Sequence, residues 1–388
     1  MLKNTNIFNL VKIFFYAILL SIDNMDVFLG DAMRLKEIRE TRGVSQADLG
    51  DKIGVARQTI AAWENGSSDP TVLQFSKLCK VLSVSMELLL GIENSERPTL
   101  LFRADEQDLL TEAMVDICVD KANNYAAVET LVGERHTVPF TNHLYEYDSV
   151  LIEKVALETR DWLGIDDAPL GDVLQLLEEK GLKVFEIPLG EDVYGFSAYN
   201  DDTGGVIFIN KDNPVERQFF TALHELGHMI FHKKDYQSKE KIDKTVERTR
   251  ERIANHFAGA MLLPRETIET ELRLFNKKWI PFPVLMELKE RYKISMRTVL
   301  VRAAQIGIIN QGLCKKQINT INSKYGEKEE PVKLNKVELR RLKRMVFTAL
   351  MNGQISSSRA AEILEKALFE IKEELGEWLE EEADDCAF

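Results

Sequence analysis

A chain of 388 residues, of which 45% are hydrophobic and 29% charged, predicts two or three globular domains that can each bury a core. The formal net charge of −13 at pH 7 excludes a protein that coats nucleic acid nonspecifically, so any contact with DNA must be local. The four scattered cysteines exclude a disulfide framework and a Cys-based metal site, which favours a reducing, cytoplasmic compartment.

The first 32 residues do not have the pattern of a globular domain, because Ile7–Ile22 is mostly apolar. The unbroken apolar part, Ile13–Leu20, is shorter than the ~20 residues that cross a bilayer. No small-x-small cleavage site follows before Asp23. The pattern favours a translated leader upstream of a functional start at Met25 or Met33. A weak membrane anchor is the alternative, and no stable membrane partner is expected.

Residues 33–92 have the pattern of an all-helical, five-helix DNA-binding domain. Ser45 is placed to cap a helix over Gln46–Ile53 that ends at Gly54. A further helix is predicted over Arg57–Glu64. Two helices joined by a short glycine turn form the helix-turn-helix arrangement. A first helix, with Leu35 and Ile38, is expected before the turn at Gly43, and two more helices over 73–81 and 86–90 are expected to close the core.

This stretch is similar to the Cro and phage-repressor (Xre) class of DNA-binding domains, through the string Ser45-Gln46-x-x-Leu49-x-x-x-Ile53-Gly54-Val55-x-x-x-Thr59-Ile60-x-x-Trp63-Glu64-Asn65-Gly66. The resemblance implies that Arg57, Gln58 and Thr59 face the major groove of a double-stranded DNA operator, and that Gln46 contacts the backbone or a base. Trp63 is expected in the core beneath the recognition helix. Basic and acidic side chains nearly balance here, so a homodimer on a two-fold operator is expected. A helical bundle that docks a protein is the alternative.

Residues 93–148 are predicted to form a helical connector, with helical spacing from Ala104 to Val128. The next predicted domain spans residues 149–310. Its strands are expected over Leu182–Ile187, Tyr194–Tyr199 and Val206–Asn210, so a small sheet is predicted. Either of the last two strands is a candidate edge that could hold a peptide backbone by strand addition.

A His-Glu-x-x-His pattern follows these strands, at His224, Glu225 and His228. In a helix, two histidines four positions apart lie on the same face and can hold one Zn²⁺. Glu225 then lies beside the metal. A carboxylate can take a proton from water there, because a bound metal lowers the pKa of that water toward ~7. The alternative is a buried helix that merely contains two histidines.

A catalytic zinc usually has three protein ligands, and the nearby candidates for the third are His232, Glu247, Glu251 and His256. His232 is excluded, because it lies ~12 Å from His224 along the same helix. Glu251 is favoured, because a second helix over 246–263 puts it on one face with Ala254 and Ala258. Such small side chains let two helices approach closely.

Together these residues resemble the ImmA/IrrE-type metallopeptidases, over roughly residues 150–310. The motifs that carry the resemblance are Phe219-Phe220-Thr221-Ala222-Leu223-His224-Glu225-Leu226-Gly227-His228, Glu251-x-x-Ala254-Asn255-x-Phe257-Ala258-x-x-x-Leu262-Leu263-Pro264 and Gly195-Phe196-Ser197. The resemblance implies that His224, His228 and Glu251 are zinc ligands and that Glu225 is the general base. One departure is Ile253, where many relatives carry a second acid.

The expected fold class is α+β and multidomain: the all-α DNA-binding domain, a mostly helical zincin-like peptidase domain with a small sheet, and a helical C-terminal tail. Residues 311–388 are predicted to form a charged linker and this acidic tail.

The expected function is a zinc-dependent endopeptidase joined to a DNA-binding regulator. Its protein substrate would be a repressor-type regulator, because ImmA/IrrE relatives are known for cutting such repressors. The alternatives are a transcription factor whose peptidase-like domain is a sensor or scaffold with little turnover, and an antitoxin-like regulator.

Overall fold

The computed structural model describes residues 34–82, 84, 89–90, 101–102, 110–136, 138–139, 142–190, 193–237 and 243–385. The described residues fall into two compact units, one within Met1–Arg97 plus Glu112–Ile117 and the other within Pro98–Thr111 plus Cys118–Phe388. The predicted leader over residues 1–32 lies outside the described residues. Among the helices that are described, none combines the length and the apolar character needed to cross a bilayer.

The first unit is built from short helices whose ends follow from their capping residues. The Ser45 side chain accepts a hydrogen bond from the backbone N–H of Asp48, which fixes the start of the second helix, and Gly54 ends that helix with a φ of 84°. A Cβ at Gly50 would lie 2.7 Å from the carbonyl oxygen of Val55, so the turn needs a glycine there. The helices are α1 (Leu35–Thr41), α2 (Gln46–Ile53), α3 (Arg57–Glu64) and α4 (Val72–Leu82).

The core of this unit contains Trp63, which is 2% exposed, as the sequence predicts for a residue beneath the recognition helix. Trp63 packs in one buried cluster with Leu35, Leu49 and Ile60. The predicted fifth helix, over residues 86–90, lies mostly outside the described residues. A longer helix, α5 (Glu112–Val132), begins eight residues later than the connector helix that the sequence predicts from Ala104.

The second unit contains a four-stranded sheet in the order β1-β3-β4-β2. Its strands are β1 (Leu101–Phe102), β2 (Lys183–Ile187), β3 (Gly195–Asn200) and β4 (Gly204–Asn210). β4 lies in the middle, antiparallel to β3 and parallel to β2. Val206–Asn210 is therefore not an edge strand, and that alternative is wrong. β1 lies in the stretch predicted to be a helical connector, and its two described residues pair with Ala198 and Tyr199 of β3.

Helices pack against this sheet around one large apolar core, which includes Phe219, Leu223 and Phe257. The two central helices are α8 (Val215–Phe231) and α9 (Lys244–Leu262). The others are α6 (Ser149–Leu163), α7 (Val173–Glu179), α10 (Arg265–Glu271), α11 (Phe282–Tyr292), α12 (Met296–Gln305) and α13 (Gln311–Tyr325). The described fold is thus α+β, with an all-helical unit and a mostly helical unit that carries a small sheet, as the sequence predicts.

The C-terminal part forms three helices, α14 (Arg341–Met351), α15 (Ser357–Ile363) and α16 (Leu368–Asp385). The stretch before them is less exposed than a charged linker would be. The Glu330 side chain is 2% exposed, bonds to Lys289 and Arg297, and accepts from the backbone N–H of Met296. An acidic side chain in a predicted linker therefore neutralises two cations and satisfies the start of α12.

Candidate metal centre

The histidines of the His-Glu-x-x-His pattern lie on α8, which has an apolar face packed on the sheet and the core. His224 and His228 are one helical turn apart, and their Nε2 atoms are 3.0 Å from each other. His228 is fully buried and His224 is half-buried, so the pair lies at the edge of the core.

Glu251 reaches these two rings from α9. Its Oε2 is 3.2 Å from Nε2 of His224, and its Oε1 is 3.1 Å from Nε2 of His228. In a tetrahedral zinc site with ligands 2.0–2.1 Å from the ion, donor atoms lie ~3.3 Å apart. The three side chains therefore fit one zinc ion in the spacing and the chemistry of their donor atoms. In the part of the chain that the structure describes, one ligand atom of each of these three side chains lies within 4.8 Å of the other two.

A glycine brings α9 close enough to α8 for this meeting. A Cβ at Gly227 would lie 3.0 Å from Cδ1 of Phe257 and 3.3 Å from Cα of Ala254. Gly227 and the small Ala254 thus allow the close crossing that the alanine spacing of α9 predicts. The side chain of Glu251, three residues before Ala254, lies beside His224 and His228 as a result.

Burial opposes ionisation of Glu251, but hydrogen bonds from His224 and His228 outweigh it. They hold the pKa of this carboxyl well below its usual range. The carboxyl group is therefore in its anionic form near neutral pH, which is the form that ligates a metal.

Glu225, which follows His224 on α8, bonds to the sheet. Ser197 of β3 donates its hydroxyl to Oε2 of Glu225 at 2.5 Å, and the Ser197 oxygen lies 2.7 Å from Oη of Tyr236. Because Ser197 gives its single proton to Glu225, Tyr236 must be the donor to Ser197. All three side chains are buried. The chain of hydroxyls thus stabilises the ionised carboxylate and fixes its orientation.

The remaining histidines near the site have other partners. His232, which is 4% exposed, has its Nδ1 2.9 Å from Nδ1 of His228. A contact to the second nitrogen of a ring orients that ring for metal binding. His256, an alternative third ligand in the sequence analysis, instead bonds to Tyr147 and Glu153, each at 2.8 Å.

The sequence motifs do not predict these supporting contacts. Ser197 lies within the Gly195-Phe196-Ser197 motif, but the spacing of that motif says nothing about Glu225. Tyr236 lies in a short 3-10 helix, Lys233–Gln237, whose sequence has no metal-site pattern. Ser197 is 28 positions from Glu225 and 39 positions from Tyr236 along the chain, so only folding brings the three side chains together.

In the first unit, the four residues predicted to meet DNA lie on α2 and α3. Arg57 and Gln58 are exposed at the start of α3, and Thr59 is half-buried. Gln46 donates to Glu64 at 2.8 Å and accepts from Arg57 at 3.4 Å. Arg39 also bonds to Glu64, at 2.5 Å. Glu64 therefore holds Gln46 in place, and Gln46 in turn contacts the exposed Arg57.

Comparisons with known proteins agree with this two-part organisation. Residues 35–89 match the family described as helix-turn-helix, and residues 177–304 match the peptidase family described as the IrrE N-terminal-like domain. The HTH-type transcriptional regulator YgzD of Bacillus subtilis is 43% identical over 60 residues, which are 16% of this chain and 91% of YgzD. This chain belongs to the HTH-type transcriptional regulators.

Other relatives of this HTH-type regulator match the same short stretch. A Methanocaldococcus jannaschii HTH-type transcriptional regulator is 38% identical over 63 residues, 16% of this chain and 96% of the relative. The antitoxin HipB of Escherichia coli is 37% identical over 60 residues, 16% of this chain and 66% of HipB. A solved Mycobacterium tuberculosis transcriptional regulator aligns with a TM-score of 0.30 and 16% identity, over 47% of this chain and about half, 51%, of that chain.

Proposed function

We propose that this chain is a DNA-binding transcriptional regulator that carries a zinc-dependent endopeptidase, with Glu225 as general base and His224, His228 and Glu251 as zinc ligands. The observation that carries the proposal is the meeting of one carboxylate and two imidazoles at 3.0–3.2 Å, beside a glutamate held by the sheet. The match of residues 177–304 to a peptidase family supports the same chemistry.

A bound zinc ion would supply a Lewis acid for the scissile carbonyl and would lower the pKa of water toward ~7. The residues of the chain provide the proton transfer and the positioning. Oε2 of Glu225 accepts from Ser197, which orients the carboxylate that would take a proton from water and deliver it to the leaving amine. The contact between His228 and His232 keeps the ring of His228 aimed at the site.

The substrate backbone would lie along β3. β3 pairs with β1 at Ala198 and Tyr199, and the next residue of β3, Ser197, bonds to Glu225. A peptide added here as a strand would therefore pass next to the general base.

The regulatory role rests on the first unit. Arg57 and Gln58 are exposed at the start of the recognition helix, and Gln46 is oriented by Glu64. Side chains in these positions read base edges and phosphates of a double-stranded operator. We infer that the cleaved protein is a repressor-type regulator and that a homodimer binds the operator.

The test of the peptidase uses Glu225→Gln, which keeps the size and the Ser197 contact of the side chain but removes the base. With zinc supplied, we expect the wild-type chain to cleave candidate repressors. In the variant, cleavage should fall by about 100-fold or more, while zinc binding, measured by metal analysis, stays the same. Unchanged cleavage in the variant would exclude this mechanism. Cleavage by neither protein, with zinc bound to both, would favour a sensor or scaffold role.

The DNA-binding half is tested separately, with Arg57→Ala and a shift assay on the operator upstream of the chain's own gene. Loss of one base contact should weaken specific binding by ~1–3 kcal/mol. Lys315→Ala, an exposed position on α13 of the second unit, serves as control. Equal operator binding by both variants would argue against groove reading by α3.

A further inference from the structure

A cleft of about 810 Å³ opens beside the candidate metal centre and is lined by α8, α9 and α12. Glu251 forms part of its wall, so whatever occupies the cleft lies next to the three candidate ligands. Its basic wall residues are Arg217, Lys244, Arg248, Arg252, Arg297 and Arg302, whereas Glu247 and Glu251 are its acidic ones. The cleft is thus strongly cationic in a chain whose net charge is −13.

Two of these six cations are already neutralised within the fold. Arg302 makes a bidentate pair with Glu153, with both distances at 2.7 Å, and is 1% exposed. Arg297 bonds to Glu330 at 3.0 Å and to backbone carbonyls at the end of α13 and beyond it. These two side chains shape the wall, and their charge is not available to a ligand.

The other four, Arg217, Lys244, Arg248 and Arg252, are exposed, and no carboxylate pairs with them among the described residues. Arg217 lies over the ring of Tyr194 at 4.5 Å, and Arg252 lies over the ring of Tyr147 at 3.6 Å. Stacking on an aromatic ring holds a guanidinium in place without neutralising its charge. The cleft therefore offers oriented, uncompensated positive charge.

Three of the four form a row along α9. Lys244, Arg248 and Arg252 are four positions apart, so they lie on one face at intervals of about 6 Å. In an extended peptide, side chains on one face recur every two residues, at about 6.6–6.8 Å. The row on the helix thus nearly matches the spacing of alternate side chains in a strand.

We propose that this cleft binds an extended acidic segment of the protein substrate, with carboxylates at alternate positions facing Lys244, Arg248 and Arg252. The inference deepens the proposed peptidase function and rests on it in naming the occupant a substrate. Charge complementarity of this kind selects partners and speeds their association more than it adds affinity. The substrate class is thereby narrowed to proteins with an acidic, strand-forming segment near the cleaved bond.

Two other anionic occupants are outcomes of the test. The acid-rich end of this chain, in α16 (Leu368–Asp385), carries acidic residues four positions apart, which is the helical spacing of the cations, so the experiment includes it. A nucleic acid would need a groove that tracks a long phosphate backbone. Here the cations line a cleft of about 810 Å³ and do not continue as a long groove among its lining residues.

The binding test uses the full chain with Glu225→Gln, loaded with zinc, so that a peptide can bind without being cut. The probe is a short fluorescent peptide with Glu at alternate positions, and a second peptide has Gln at the same positions. We expect the Glu peptide to bind more tightly, by roughly threefold to thirtyfold, because two or three surface ion pairs contribute. Added salt should remove the difference.

The decisive variant is Lys244→Gln/Arg248→Gln, which should reduce binding of the Glu peptide to that of the Gln peptide. Lys315→Gln/Lys316→Gln on α13 removes the same charge from an exposed surface that does not line the cleft, and it should leave binding unchanged. Equal losses in both double variants, or no preference for the Glu peptide, would overturn the proposal.

Three further outcomes are separated by the same measurements. A single-stranded oligonucleotide that binds through Lys244 and Arg248 better than the peptide would reassign the cleft to nucleic acid. Tighter peptide binding after Glu380→Gln/Glu381→Gln/Glu382→Gln would reassign it to the chain's own tail. Because the test measures binding to a variant that lacks the base, it can succeed even if the wild-type chain cuts nothing, which distinguishes its failure from that of the proposed peptidase.

Discussion

Glu225 and the three candidate ligands are held by different neighbours. Ser197 and Tyr236 form a buried chain of hydroxyls that ends on Oε2 of Glu225. His224 and His228, on the same helix as Glu225, contact Glu251 of α9 instead. At the scale of single residues, positioning of the base and binding of the metal are therefore separate properties, and substitutions should be able to change one without the other.

Ser197→Ala tests this separation. Loss of the hydroxyl removes the hydrogen bond that orients Glu225, so we expect the rate of cleavage to fall by roughly 10- to 100-fold, as for other contacts that orient active-site groups. Zinc affinity should stay within about twofold of wild type, because Ser197 contacts none of the three candidate ligands in the described structure. Steady-state kinetics and competition with a chromophoric chelator measure the two quantities.

Tyr236→Phe provides a graded companion, because it removes only the outer hydroxyl of the chain. Its rate should lie between those of wild type and Ser197→Ala. A drop in zinc affinity that parallels the drop in rate, in either variant, would show that the network holds the metal site as a whole.

Glu153 gives a prediction about pH. Burial raises the pKa of this carboxyl, but hydrogen bonds from His256 and Arg302 and their positive charge outweigh burial and lower it to about 2. The unfolded value is higher, so the stabilisation is complete above about pH 4.5 and is lost as the pH falls through about 2. The shift corresponds to at most about 3 kcal/mol of unfolding free energy.

Glu153→Gln should therefore destabilise the chain by about 2–3 kcal/mol near pH 7. The difference in unfolding free energy between wild type and variant should narrow as the pH is lowered from 4.5 toward 2. Urea titrations at several pH values measure it. Glu158→Gln, on the same helix, is the control, since Glu158 is 52% exposed and lies 3.7 Å from Lys154. A difference in unfolding free energy that does not change with pH would show that Glu153 stabilises the fold through packing and not through its charge.

At the scale of elements, the crossing of α8 and α9 assembles the site. α8 supplies two imidazoles at helical spacing, and α9 supplies the carboxylate because Gly227 and Ala254 allow a close approach. The close approach of these two helices, more than the helix propensity of either one, decides whether the site forms, because neither helix alone carries all three candidate ligands.

Gly227→Ala should weaken this crossing. Alanine favours an isolated helix by about 1 kcal/mol, yet its Cβ would lie 3.0 Å from Phe257 and 3.3 Å from the backbone of Ala254. Overpacking typically costs about 1–3 kcal/mol. We expect zinc affinity to fall by about tenfold or more, because α9 must move with Glu251. In Gly376→Ala on α16, where a Cβ meets nothing within 4 Å, zinc affinity should not change.

The elements also show which features a sequence can predict. Local rules predicted α2 and α3 to the residue, because capping by Ser45 and a left-handed glycine at position 54 are properties of neighbouring residues. The same rules predicted the helix of the His-Glu-x-x-His pattern and the alanine face of α9. They did not predict β1 or the central position of β4, since strand pairing is decided by residues far apart along the chain.

At the scale of the whole molecule, a buried ion network joins the C-terminal helices to the sheet of the second unit. Arg341 of α14 donates to Glu129 of α5 at 2.7 Å, and Glu129 also pairs with Lys183 of β2 at 2.7 Å. The three side chains are 5%, 1% and 1% exposed. The sequence shows a charged tail at this place, and it cannot show which cation will be buried against which acid.

Arg341→Met should destabilise the second unit by about 3 kcal/mol, because it removes a buried cation that donates to Glu129, to Tyr125 and to the carbonyl of Glu134, and it leaves Glu129 with Lys183 alone. Arg344→Met, one turn later, removes an exposed pair with Glu134 and should cost less than about 1 kcal/mol. Thermal unfolding of the full chain compares the two. Equal losses would mean that α14 is held by its apolar side chains, such as Phe347, and not by the network.

The separate anchoring of Glu225 has a consequence for how this architecture can change over generations. Under the proposed function, a descendant that lost Glu225 would lose its general base, yet His224, His228 and Glu251 would still meet between α8 and α9. Such a descendant would keep the proposed metal site without the chemistry. Under that proposal, a single substitution separates a hydrolase from an ion-binding regulator with nearly the same fold.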